Sequence, residues 1–162
     1  MSDYYIISDT HFRHKMLIDS GLRPSSYEKQ LESSLKLLTF NDVLIHLGDV
    51  CLGMEYEVHR DIIWKLKCRK FLVRGNHDKR STSWYMDHGW DFAGDALTMR
   101  RHGKEILFSH EPAHIRDTQV NVHGHVHSED RLFEYKDVLT PNHILAVPEK
   151  WGYSPVKLRR LV

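Results

Sequence analysis

The sequence carries almost no net charge. Lysine and arginine number 23 against 22 aspartates and glutamates, which leaves +1 over 162 residues. No long-range field therefore draws the chain to nucleic acid or to an anionic membrane, and neither stable nucleic-acid binding nor a membrane partner is expected. Cysteine is scarce: Cys51 and Cys68 have no CxxC spacing and read as reduced, buried thiols. Long apolar runs are missing too. Val43-Leu44-Ile45 is broken within a few residues, far short of the roughly 20 that span a bilayer. The opening Met1-Ser2-Asp3-Tyr4-Tyr5 has no basic or apolar leader pattern, so a reducing, cytoplasmic setting is expected. Neither repeats nor low-complexity linkers divide the chain, and one domain over residues 1–162 is expected. At 41% hydrophobic and 28% charged residues the composition is that of a globular protein and excludes disorder. Histidine alone is in excess, with 13 copies.

Short β-branched and aromatic runs predict strands at Tyr4–Ser8, Val43–Leu47 and Lys70–Arg74. A polar loop is expected from Thr10 to about Pro24. Ser25 with Glu28 has the form of a capping box opening a helix to about Thr39, and Val58, Ile62, Ile63 and Leu66 put a second helix at Glu55–Lys67. The β-α-β-α-β order implies parallel strands with right-handed crossovers. Beyond Asp91 the chain looks mostly β, with runs at Phe92–Met99, Glu105–Ser109, Val120–His123, Ile144–Val147 and Val156–Leu158.

The first three strands end at Asp9-Thr10-His11, Gly48-Asp49 and Gly75-Asn76-His77-Asp78. Ligands of open α/β sheets bind outside the carboxyl ends of the strands. The β half adds His110 and His125-Val126-His127. In extended backbone, residues two apart point to one side, so Asp9 with His11 and His125 with His127 could each aim at one small site. Asp9, His11, Asp49, Asn76, His110, His125 and His127 make seven candidate metal ligands. That is too many for one cation and suits two that share a carboxylate. Mixed imidazole, carboxylate and amide oxygen ligands fit Mn²⁺, Fe, Zn²⁺ or Ni²⁺, with Mn²⁺ preferred here. Two divalent ions against Asp9 and Asp49 leave positive charge for an anionic substrate. Such a pair about 3.5–4 Å apart can clamp the attacking and leaving oxygens at phosphorus and lower the pKa of water towards about 7.

Together and in this order the motifs resemble those of the calcineurin-like metallophosphoesterases, most closely the small, cap-less bacterial and phage members: Asp9-Thr10-His11, Gly48-Asp49, Gly75-Asn76-His77-Asp78, His110, and Gly124-His125-Val126-His127. The resemblance covers residues 9 to 127. It implies an α/β fold, a four-layer α-β-β-α sandwich. It implies that Asp9, His11, Asp49 and His127 hold one metal and Asp49, Asn76, His110 and His125 the other. It also makes His77 the acid that protonates the leaving alkoxide, oriented by Asp78. The implied activity is hydrolysis of small phosphodiesters of nucleotide or cyclic nucleotide type by attack of a metal-bridging hydroxide. Alternatives are a phosphomonoesterase or nuclease of the same fold, or a non-catalytic binding scaffold. Leu52 stands where larger relatives carry a further acidic residue, and Arg13 where a glycine is common; both bear on substrate choice.

Any one of these histidines alone is accounted for by hydrogen bonding or solvent. Seven ligand types at five strand ends are not. Asn76 and His77, with Arg13 and His14 on the loop after the first motif, are candidate substrate contacts. His46 is placed to hold a ligand from behind. His114 and His123 lie near the ligands without a need to ligate. His59, His88, His102 and His143 are expected at the surface. Arg100–Lys104 reads as a hairpin tip, Lys157–Arg160 as an edge strand, and the four tryptophans as packing residues.

Overall fold

The apolar runs become the inner strands of a sheet because both of their faces find partners. In β1 (Tyr4–Ile7), β2 (Val43–His46) and β3 (Arg69–Val73) neighbouring residues point to opposite faces. Ile6, Val43, Ile45 and Val73 face a second sheet, whereas Ile7, Leu44 and Leu72 face helices. All four residues of β2 are buried, as befits its central place. The computed structural model describes residues 2–162.

Two sheets make the sandwich. β4 (Phe92–Gly94) and β9 (Val156–Lys157) flank the first, giving the order β4-β3-β2-β1-β9. β1 to β4 are parallel, with Ile6 opposite Ile45 and Ile45 opposite Phe71; β9 runs antiparallel to β1. The second sheet is β5 (Ala96–Arg101), β6 (Lys104–Ser109), β7 (Gln119–His123) and β8 (His143–Leu145), in sequence order. β5 and β6 form the expected hairpin through His102-Gly103; β6, β7 and β8 are parallel. Ile106, Phe108, Val120 and Val122 meet Ile6 and Ile45 between the sheets.

Helices α1 (Lys15–Asp19), α2 (Tyr27–Leu35), α3 (Glu55–Asp61) and α4 (Thr82–Asp87) complete the regular structure. Tyr27, Leu31 and Leu35 of α2, Val58 of α3 and Tyr85 of α4 cover the first sheet. Beyond the second sheet the fourth layer is thin: a 3₁₀ segment, Glu129–Tyr135, lays Leu132 and Tyr135 against Val126, Leu145 and Val147. The fold is α/β, as expected. Among the described residues no helix is long and apolar enough to cross a membrane. Cys51 and Cys68 are both free and buried, and burial pushes both thiols up.

Several expectations need correction. The loop from Thr10 to Pro24 contains α1, and α4, at six residues, is too short for a helical period to show in the sequence. No capping box forms at Ser25: α2 starts at Tyr27 without a side-chain cap, and Glu28 instead accepts the Arg13 amide at 2.8 Å. The second helix breaks after Asp61 into a 3₁₀ turn, Ile63–Lys65. The run Phe92–Met99 changes sheet between Gly94 and Ala96. The tail forms only two residues of strand before a 3₁₀ turn.

His59 is not at the surface but fully buried. Its Nδ1 meets the Glu55 carbonyl at 2.7 Å, and the Trp90 indole donates to its Nε2 at 3.0 Å. Burial holds its pKa down to about 4, against smaller opposing pulls from Glu55. Burial, reinforced by His110 and His59, brings His46 down to about 3. Both folded values lie below the ordinary 6.5. As pH falls through 6.5 the unfolded chain takes up protons that these folded rings refuse. Above that pH the two rings add no pH dependence. Below it, each removes about 1.4 kcal/mol of stability per pH unit until its folded value is reached. The urea midpoint is therefore expected to be clearly lower at about pH 5 than at about pH 7.5. Equal midpoints would show that the two rings do not govern the pH dependence, the raised carboxyls of Asp78 and Asp9 pulling the other way.

Candidate metal centre

The strand ends deliver their polar residues to one rim because the loops beyond them pair with each other. The amides of Asp9, His11 and Phe12 donate to the carbonyls of Gly48, Asp49 and Val50 at 2.8, 3.0 and 2.9 Å. Side chains reinforce the pairing. Thr10 Oγ1 donates to the Val50 carbonyl at 2.9 Å, and His46 Nε2 meets Thr10 Oγ1 at 2.9 Å. His46 Nδ1 accepts the Gly48 amide at 3.1 Å, which places the ring proton on Nε2. His46 thus holds the residue between Asp9 and His11. The Tyr27 hydroxyl ties the His11 carbonyl at 2.7 Å.

The loops after β2 and β3 touch backbone to backbone. A Cβ on Gly48 would run into the backbone of Gly75, and one on Gly75 into Asp49. Asp78 lies beneath this crossing. Its carboxylate accepts the amides of Asp49 and Gly75, both at 2.8 Å, and of Val50 at 3.2 Å. The expectation that Asp78 orients the His77 ring is thereby corrected: the carboxylate is occupied by backbone and clamps two loops. Burial raises its pKa to about 6 in spite of these amides.

The seven candidate ligands come together in two adjoining groups. Asp9, His11 and His127 form one, and Asp49, His110 and His125 the other; within each, one ligand atom per residue lies within 4.8 Å of the others. Asn76 joins the second group, with Oδ1 at 2.9 Å from His110 Nε2 and 3.1 Å from His125 Nδ1. Asp49 faces both groups. Its Oδ2 is 3.7 Å from His11 Nε2 and 3.5 Å from His110 Nε2, while its Oδ1 accepts the His77 amide at 2.9 Å.

The backbone that achieves this is not extended. Asp9, His11, Asp49 and His125 all have positive φ, between 44° and 68°, a region that non-glycine residues rarely occupy. The residues converge as expected, but by strained turns. His125 and His127 accordingly part company, one to each group. Gly124 allows the approach, because a Cβ there would strike Asp9 and Ser8.

The donor set fits divalent cations. Asp9 Oδ1 is buried without a hydrogen-bond partner, and burial pushes this carboxyl upward. The His110 Nδ1 proton is committed to the Leu47 carbonyl at 2.7 Å. In the neutral ring its Nε2 then turns a lone pair towards Asn76 Oδ1 and Asp49 Oδ2, which are also electron-pair donors. Converging acceptors repel one another unless a cation lies among them. Burial pushes the His11 imidazole down to about 2 and so favours the neutral ring that a cation needs.

The His77 ring stands at the rim, its side chain 38% exposed, with Nε2 3.9 Å from Asp49 Oδ2. His14 lies 5.5 Å from the His11 ring, and its Nδ1 is buried without a partner. Arg13 lines a separate groove with Glu28, Lys29 and Glu32. His123 is buried, with Nδ1 3.1 Å from the Gly124 carbonyl. Two residues escaped the sequence reading. Arg23 is buried and bonds the carbonyls of Asp9 and Thr10, at 2.7 and 3.1 Å. Glu149 bonds Arg23 Nε at 2.7 Å. Neither belongs to a motif; an arginine in a polar loop gives no sign of burial.

Known proteins resemble the chain along most of its length. An uncharacterized protein of Methanocaldococcus jannaschii is 26% identical over 172 aligned positions, covering 100% of this chain and 90% of that protein. The crystal structure of a protein of unknown function from Aquifex aeolicus superposes with a TM-score of 0.79 at 28% identity, over 99% of this chain and 97% of that one. A structure described as a novel archaeal phosphodiesterase shares the fold, with a TM-score of 0.50 at 19% identity, over 90% of this chain and 82% of the other. The sequence profile of the calcineurin-like phosphoesterases matches residues 3–151. That span takes in every strand end that carries a candidate ligand, and the chain belongs to this family of metal-dependent phosphoester hydrolases.

Proposed function

We propose that the protein is a dinuclear phosphodiesterase acting on small diesters of nucleotide or cyclic nucleotide type, Mn²⁺ being the preferred cation. The observation that carries this reading is the placement of Asp49 Oδ2 between two ligand groups, with the His77 ring beside it at an exposed rim. Bound there, two divalent cations would supply positive charge for the phosphate and acidify water. Asp9, His11, Asp49 and His127 hold one of them, and Asp49, Asn76, His110 and His125 the other. His77 donates the proton that the leaving alkoxide needs. His14, whose ring lies 5.5 Å from that of His11, contacts substrate phosphate. Arg13, which lines a groove with Glu28, Lys29 and Glu32, is a second substrate contact. The single-domain reading is supported by β9, near the C-terminus, pairing with β1. The open rim admits an ester with two substituents. The test is hydrolysis of bis(p-nitrophenyl) phosphate beside p-nitrophenyl phosphate with added Mn²⁺. Faster cleavage of the diester is expected. Preference for the monoester would make the protein a monoesterase, and no rate with either at full metal occupancy would make it a scaffold. A panel of 2′,3′-cyclic, 3′,5′-cyclic and dinucleotide substrates then narrows the class.

A further inference from the structure

We propose that Glu149, locked by Arg23, is a positioning residue that presents His127 to the first metal in the correct tautomer. The inference rests on His127 being a ligand, as in the reading above. His127 Nε2 faces Asp9 Oδ1 at 3.7 Å, while Nδ1 faces away, 3.3 Å from Glu149 Oε1 and 3.3 Å from Arg23 Nη2. These two neighbours make opposite demands. A carboxylate only accepts, and so favours a proton on Nδ1. A guanidinium only donates, and so favours a bare Nδ1. Only the first arrangement leaves the Nε2 lone pair free for a cation.

Arg23 settles the matter by being satisfied elsewhere. Its Nη2, which carries two N–H groups, donates to the Asp9 carbonyl at 2.7 Å and lies 2.7 Å from Glu149 Oε1; its Nη1 donates to the Thr10 carbonyl at 3.1 Å and its Nε to Glu149 Oε1 at 2.7 Å. The guanidinium also lies 5.0 Å from the Tyr27 ring centroid, and its side chain is fully buried. The arginine is thus pinned to the Asp9 loop and holds the carboxylate against the imidazole. Glu149 follows Pro148 in the 3₁₀ turn Pro148–Trp151. The second group has its own counterpart, since the Leu47 carbonyl receives the Nδ1 proton of His110. Glu149 does for His127 what a backbone carbonyl does for His110.

The test reads the tautomer in metal-free protein and the two metal affinities separately. Long-range ¹H–¹⁵N NMR, at a pH above the imidazole's titration, is expected to show His127 protonated on Nδ1. Protonation on Nε2 in the wild type would overturn the proposal without any variant. In Glu149→Ala, Arg23 is left as the neighbour of Nδ1, and the proton is expected to move to Nε2. Calorimetric titration with Mn²⁺ should then show one site weakened by ~10–100-fold and the other retained. Glu149→Gln keeps an acceptor oxygen and should restore both the tautomer and most of the affinity. Equal weakening of both sites, or failure of glutamine to rescue, would indicate a packing role instead. A wild-type protein that hydrolyses nothing, yet carries the Nδ1 proton and loses it in Glu149→Ala, would leave this inference intact and remove only the proposed activity.

Discussion

Asp49→Asn is expected to reduce metal content below two equivalents and to bring turnover down by about 10³-fold. One oxygen of Asp49 is already engaged by the His77 amide, at 2.9 Å. An asparagine keeps that bond by placing its own oxygen there. Its amide nitrogen then occupies the position of Oδ2, facing His11 Nε2 and His110 Nε2. An amide nitrogen carries no lone pair to offer a cation. The change also leaves Asp9 as the one carboxylate facing two divalent charges. Such ions contribute several kcal/mol of charge stabilisation, and 1.36 kcal/mol is a factor of ten, which sets the expected scale. Metal analysis and hydrolysis of bis(p-nitrophenyl) phosphate on the same sample check it. A variant that keeps two equivalents and full turnover shows that Asp49 does not bridge.

His77→Ala is expected to separate the proposed proton donor from the proposed metal seat. The His77 amide, not its ring, touches Asp49, and alanine keeps that amide. Metal content is therefore expected to stay at the wild-type level while kcat falls by ~10²–10⁴-fold, the range for loss of a general acid. The loss should depend on the leaving group. p-Nitrophenolate departs without help, so its diester should be affected least; a nucleoside alkoxide needs the proton and should be affected most. An equal loss for both would assign His77 to phosphate binding, and an unchanged rate would remove it from the reaction.

The convergence of the candidate ligands was legible because each follows a strand whose apolar run marks itself, and because seven such groups at five strand ends are not explained singly. What the spacing misjudged was the backbone. The i, i+2 argument presumed extended chain at Asp9–His11 and His125–His127, whereas Asp9, His11 and His125 have φ values of 48°, 44° and 68°. A positive φ on a non-glycine residue leaves no mark in a sequence. Asp78 was misassigned because a motif reveals which residues are near one another but not which atoms meet. His59 was misplaced for a related reason: its partner Trp90 lies 31 positions away. Arg23 and Glu149 are 126 positions apart, and no local pattern announces a pair that exists only in three dimensions. The change of sheet between Gly94 and Ala96 was hidden inside a run that reads as one strand.

The strained turns at Asp9, His11, Asp49 and His125 set a limit on modular borrowing. Each is held in place by its surroundings: Asp9 by the Gly48 carbonyl, His11 by Tyr27, Asp49 by Asp78, and His125 by Asp9 Oδ2 at 2.9 Å. Cut out and grafted onto another scaffold, Asp9-Thr10-His11 would relax into ordinary geometry and its side chains would swing apart. The short motifs are thus not transplantable parts. A designer who wanted this pocket elsewhere would have to carry across the neighbouring loops that keep every one of them bent.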